Sequence, residues 1–134
     1  MKAALNHISF HVSDFKKSLS FYNELSKYFG WGKIYEDKWV CGWKCQTAEI
    51  WIVRTLKKYS KAGFHRKRVG LNHIAFRVPT EKAVDIFHKT FLKKQRISVL
   101  YGGPKEYPQY GKGYYAVYFE DPDRIKLEVV YIPK

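Results

Sequence analysis

Apolar and polar residues alternate with a period of two along LNHISFHV, residues 5–12, and again along LNHIAFRV, residues 71–78. Such alternation predicts strands with one buried face. Ile8, Phe10 and Val12 turn one way in the first stretch, and His7, Ser9 and His11 the other. In the second, Ile74, Phe76 and Val78 oppose His73, Ala75 and Arg77. The period then changes to a helical one. Ser13 is positioned to cap a helix reaching about Tyr28, with Phe15, Leu19, Tyr22 and Leu25 on one stripe and Gly30 as its stop. Thr80 caps a second helix running to about Lys94, with Ala83, Val84, Phe87 and Phe91 on its stripe. Each helix is followed by three strand-like stretches, at 33–36, 39–44 and 48–54 in the first half and 97–101, 114–119 and 126–132 in the second. EDPD at 120–123 reads as a turn, and the Gly/Pro/Tyr-rich GGPKEYPQYGKG at 102–113 as a surface loop. The pattern predicts an α+β fold of two βαβββ modules. The first, with a basic connector, covers residues 1–66, and the second covers 67–134.

Composition narrows the functional classes. The length of 134 residues suits one compact domain, and the 46% hydrophobic fraction is enough to build a core. No apolar run approaches the ~18 residues that would cross a bilayer, and the chain enters its first strand too early for a signal peptide. A cytoplasmic protein without a membrane partner is therefore expected. The formal charge of +13 predicts a solvated basic surface that attracts anionic small molecules. Sequence-specific nucleic-acid binding is not expected, because no helix-turn-helix, zinc-finger or RNP pattern accompanies the basic stretch 54–68. Cys41 and Cys45 form a lone C-x3-C without a second pair, a poor zinc signal, and read as buried reduced thiols.

The repeated histidines ask for a partner. Beside each lies a small residue, Ser9 or Ala75, that leaves space over the strand. The last strand of each module carries a carboxylate among apolar neighbours, Glu49 in AEIWIV and Glu128 in KLEVVYI. A buried carboxylate is costly unless paired, protonated or coordinated. Two imidazoles and two carboxylates make a neutral N2O2 set suited to Zn, Ni, Co, Mn or Fe(II), with room for exchangeable ligands. The alternative is two hydrogen-bonded His–Glu couples without metal. His11, His65 and His88 lack the symmetry and read as structural or surface residues.

LNHISFHV, the helix with SLSFYNEL, GLNHIAFRV, and the ending YYAVYFEDPDRIKLEVVY together resemble the vicinal oxygen chelate superfamily. Its members include glyoxalase I, bleomycin-resistance proteins, extradiol dioxygenases, fosfomycin-resistance thiol transferases and methylmalonyl-CoA epimerases. The resemblance covers essentially the whole chain. It implies curved, cup-like mixed sheets with helices on the outer face, commonly completed in a homodimer. It places His7, Glu49, His73 and Glu128 at the metal positions of glyoxalase-I-like members, with Glu128, then Glu49, as the proton-transferring groups. The implied activity is a metal-dependent isomerase or lyase that acts on a chelated small carbonyl compound or its thiol adduct. A non-catalytic sequestering protein, a dioxygenase and a thiol transferase are the alternatives. Arg77, Tyr107, Tyr110 and Lys112 are candidate substrate contacts. Arg124 stands where many members have glycine after DPD.

Overall fold

The computed structural model describes residues Met1–Lys134, and the chain divides into two compact units, Met1–Gly63 and Phe64–Lys134. Each unit carries a four-stranded mixed sheet with the same order of elements, so the fold is α+β with two similar modules.

In the first unit, β1 (His7–Val12), α1 (Phe15–Phe29), β2 (Gly32–Glu36), β3 (Val40–Cys45) and β4 (Ala48–Arg54) form a sheet ordered β1-β4-β3-β2. β1 runs parallel to β4, and the remaining pairs are antiparallel. The predicted alternation holds in β1: Val12 is fully buried and Ile8 and Phe10 are half-buried, whereas His7, Ser9 and His11 are exposed. α1 packs onto this apolar side with Tyr22 and Leu25 buried, and Tyr22 meets Phe10 and Trp43 there. Asp14, not Ser13, caps the helix by accepting from the Lys17 N–H at 3.1 Å. An aspartate fits this N-terminus because its charge also faces the positive end of the helix. Gly30 ends α1 in the left-handed region at φ 69°.

In the second unit, β5 (His73–Arg77), α2 (Glu81–Phe87), β6 (Val99–Glu106), β7 (Tyr115–Glu120) and β8 (Lys126–Tyr131) repeat the plan in the order β5-β8-β7-β6. Thr80 caps α2 by accepting from the Ala83 N–H at 3.1 Å. The single helix expected to run to Lys94 is instead α2 followed by a π-helical turn, His88–Leu92. The wider turn brings consecutive residues Phe91 and Leu92 both into the core, and Phe91 stacks on Phe87 at 5.1 Å.

The stretch 102–113 also differs from the expected surface loop. Residues 102–106 belong to β6, and Tyr107 is only 7% exposed. Tyr101, Gly102 and Gly103 all have positive φ. The register jumps there from Leu100↔Tyr118 to Lys105↔Ala116, a bulge that the two glycines permit. Its effect is to bring Tyr101 and Lys105 to the side of the sheet that carries Tyr118. No helix is long and apolar enough to cross a membrane.

Candidate functional site

In the second unit, the Nε2 of His73 on β5 lies 3.1 Å from the Oε2 of Glu128 on the neighbouring β8. Glu128 is 0% exposed. Its other oxygen, Oε1, accepts from the Tyr114 hydroxyl at 2.7 Å. Tyr118 on β7 is its cross-strand partner. Burial and the hydrogen bond to this carboxylate push the Tyr114 hydroxyl up to about 12, and burial beside the same carboxylate raises Tyr118. Both tyrosines therefore stay protonated at neutral pH.

On the other side of the imidazole, Nδ1 lies 2.7 Å from Asn72 Oδ1. In the neutral ring, with that carbonyl oxygen accepting, Nδ1 carries the proton and Nε2 presents a lone pair toward Glu128. Glu128 Oε2 is shut off from solvent and has no hydrogen-bond donor. Two lone-pair atoms thus face each other, an arrangement satisfied by a proton or a cation between them. Donors on metal bonds of ~2.1 Å at right angles lie roughly 3.0 Å apart, so the observed 3.1 Å suits adjacent ligands of one ion. The chemistry and spacing of this pair fit a divalent metal.

The first unit contains a related pair in different surroundings. His7 on β1 lies directly opposite Glu49 on β4, and its Nδ1 is 3.3 Å from Asn6 Oδ1. The Asn–His dipeptide thus orients the ring in both units. The glutamates are not equivalent, however. Glu49 pairs in register with His7, whereas Glu128 pairs with Ala75, two residues beyond His73. The lattice position matching Glu128 is held by Trp51, opposite Ser9, and that matching Glu49 is held by Lys126, opposite His73. Glu49 is also less buried than its apolar sequence neighbours suggest, with 21% of its side chain exposed. Its Oε1 accepts from Lys44 at 3.4 Å and its Oε2 from the Trp51 indole at 2.9 Å. The Trp51 hydrogen bond, helped by Lys44, holds its carboxyl below the usual range. Neither unit gathers three or more His, Cys, Asp or Glu side chains into one cluster.

Beside the His73–Glu128 pair, the second unit opens a cavity of about 560 Å3. Its walls include Tyr101, Tyr107, Tyr110, Tyr114 and Tyr118, together with Lys105, Lys126 and the Asn72–His73 dipeptide. Of the candidate substrate contacts, Tyr107 and Tyr110 line this cavity. Arg77 lies elsewhere and donates to the Ile132 carbonyl at 2.6 Å. Lys112 is exposed and is not part of the wall. The sequence reading missed Tyr101, Lys105, Tyr114, Tyr118 and Lys126. Alternation in β7 and β8 could have flagged Tyr118 and Lys126 as residues of the Glu128 face. The bulge that delivers Tyr101 and Lys105 had no such signal beyond its glycine pair. Cys41 is a buried free thiol, as expected, whereas Cys45 is free but only partly buried.

This fold and site define a small two-module protein that sets a part-exposed imidazole against a buried carboxylate on one sheet face. Residues 4–129 match the model of the Glyoxalase/Bleomycin resistance protein/Dioxygenase superfamily, and the chain belongs to that family. It is 39% identical over 129 residues to the uncharacterized protein YqjT of Bacillus subtilis, covering 94% of this chain and 97% of that one. A crystal structure from Bacillus halodurans, described provisionally as a glyoxalase, superposes with a TM-score of 0.85 at 31% identity, covering 96% of this chain and 95% of that one. The lactoylglutathione lyase of Agrobacterium tumefaciens shares the fold at a TM-score of 0.69 and 20% identity, over 97% of this chain and 94% of its own.

Proposed function

We propose that the protein is a metal-dependent isomerase or lyase of the glyoxalase I type, acting on a small anionic carbonyl compound or its thiol adduct, as a cytoplasmic homodimer. The observation that carries this reading is the solvent-excluded Glu128 Oε2, without a donor, 3.1 Å from an imidazole nitrogen. In this reading His73 and Glu128 hold a divalent ion (Zn, Ni, Co, Mn or Fe(II)). The ion supplies Lewis acidity, polarising the carbonyl oxygen and acidifying the adjacent C–H.

The chain's own groups do the rest. Glu128 accepts the proton from carbon and returns it to the neighbouring carbon. The Tyr114 hydroxyl on Oε1 fixes the carboxylate plane, with Oε2 toward His73. Asn72 holds the imidazole in one tautomer. The test is deuterium exchange at the carbon beside the carbonyl, followed by NMR in heavy water with a methylglyoxal–thiol adduct and metal-loaded protein. Exchange that falls at least about a hundredfold in Glu128→Gln is expected. Equal exchange in both proteins removes Glu128 as the base.

A second reading, a ligand-sequestering protein, is supported by Trp51 standing where a strict repeat would place a second Glu128. It predicts ligand-dependent thermal stabilisation by the same adduct, with no exchange even in metal-loaded protein.

A further inference from the structure

The cavity beside His73 has an unusual wall. No Leu, Val or Ile lines it; the apolar surface comes from five phenol rings, and the remaining side chains are Asn, Gln, His and Lys. The rings stand at varied angles around the space. Tyr107 and Tyr110 stack at 6.0 Å, Tyr101 and Tyr107 both meet Tyr118 edge-on at 5.4 and 5.3 Å, and Tyr110 meets Tyr114 edge-on at 5.4 Å. Faces and edges disposed in this way accept a flat π-system from several directions.

Aromatic cages of this kind are also the usual receptors for quaternary ammonium groups. Here that role is already filled by the protein. The Lys126 ammonium lies 5.8 Å from the Tyr101 ring and 5.5 Å from the Tyr118 ring, and Lys105 lies 5.4 Å from Tyr107. A cationic guest meets two like charges on the faces it needs, whereas an anionic guest meets two counter-ions. The Tyr107 hydroxyl is buried in the wall without a hydrogen-bond partner. It is a polar group available to a guest that reaches it.

We propose that this cavity binds a planar aromatic anion, its ring held among Tyr101, Tyr110 and Tyr118 and its acidic group met by Lys126 and Lys105. The inference names a substrate class for the site described above. It rests on that reading for turnover, and binding stands apart from it. A volume of about 560 Å3 accommodates two fused rings with a substituent.

The test is calorimetric titration of the full chain, metal-stripped and metal-loaded, with 2-naphthoate, its saturated decahydro analogue, neutral 2-naphthamide and benzyltrimethylammonium. The naphthoate is expected to bind about tenfold more tightly than the saturated acid or the amide, and the cation not to compete with it. Lys126→Met and Tyr110→Leu should each weaken binding about threefold to tenfold, while circular dichroism reports an intact fold. Equal affinity for the saturated acid, preference for the cation, or unchanged binding in Lys126→Met overturns the proposal. Naphthoate binding in a protein that takes up no metal supports the cavity and removes the metal reading. Metal uptake without naphthoate binding at millimolar concentration does the reverse.

Discussion

Gly42 on β3 faces Trp51 across the β3–β4 pair, and the indole fills the space a side chain would take there. A Cβ added at Gly42 would stand 2.6 Å from the indole Cδ2 and Cε3 and 2.7 Å from Cζ3. Relief to ordinary contact requires the ring to move by about 1 Å, since carbon atoms pack at roughly 3.5–4.0 Å. A displacement of that size breaks the 2.9 Å hydrogen bond from the indole to Glu49. Overpacking of this kind costs about 1–3 kcal/mol, and loss of a half-exposed hydrogen bond to a carboxylate costs roughly 1 kcal/mol. Replacing glycine within a strand returns about 0.5–1 kcal/mol through the unfolded chain. Gly42→Ala is therefore expected to destabilise the protein by about 1–3 kcal/mol in urea denaturation monitored by circular dichroism. In a Trp51→Ala background the clash is gone, and the same substitution should be neutral or slightly stabilising. An equal cost in both backgrounds would refute the account, because the penalty would then come from the backbone rather than from the ring.

Other expectations follow from single residues. Arg124 holds φ 65° in the turn before β8, and its ion pair to Glu120, at 3.5 Å, is 73% exposed on the arginine side. Arg124→Gly should thus raise stability by about 0.5–1 kcal/mol in thermal unfolding, and a loss would show that the ion pair outweighs backbone strain. Burial pushes both the Cys41 and Cys45 thiols up to about 11. At pH 8 their thiolate fraction, and their rate with Ellman's reagent, should lie roughly a hundredfold below that of an unhindered cysteine. Tyr114 stays protonated to about 12 when folded, against 10.0 for an ordinary tyrosine. Its contribution to stability is therefore complete below pH 10 and is lost as the pH rises toward 12, where the unfolded chain binds fewer protons. Tyr114→Phe should flatten that decline by up to about 1.4 kcal/mol per pH unit.

The architecture could be read from the sequence because its signals were local and repeated. Two alternating octapeptides, two capped amphipathic helices and the turn after Glu120 each carried their own periodicity, and the sheets follow from burying one face of each. The departures arose where geometry depends on partners distant in sequence. Nothing in residues 88–92 announces a π turn, whose cause is the packing of both Phe91 and Leu92. The bulge at 101–103 makes strand of what composition marks as loop. The histidine–carboxylate pairing of the second unit was visible in the repeat, and Glu128 is as buried as its neighbours implied. The two glutamates nonetheless differ by two positions of strand register, which a count of residues between His and Glu cannot reveal when the intervening loops differ in length. The Asn–His dipeptides were printed twice in plain view. Their meaning, an amide that orients the ring, became apparent only with the 2.7 Å contact of Asn72 to His73.

Metal content, measured by plasma mass spectrometry on protein purified without chelators, addresses the proposed His73–Glu128 centre most directly. The account predicts about one divalent ion per chain, reduced at least about tenfold in Glu128→Gln and less in Glu49→Gln, whose oxygens already serve Lys44 and Trp51. Metal that is far below one per chain, and equal in the wild-type protein and Glu128→Gln, would contradict it.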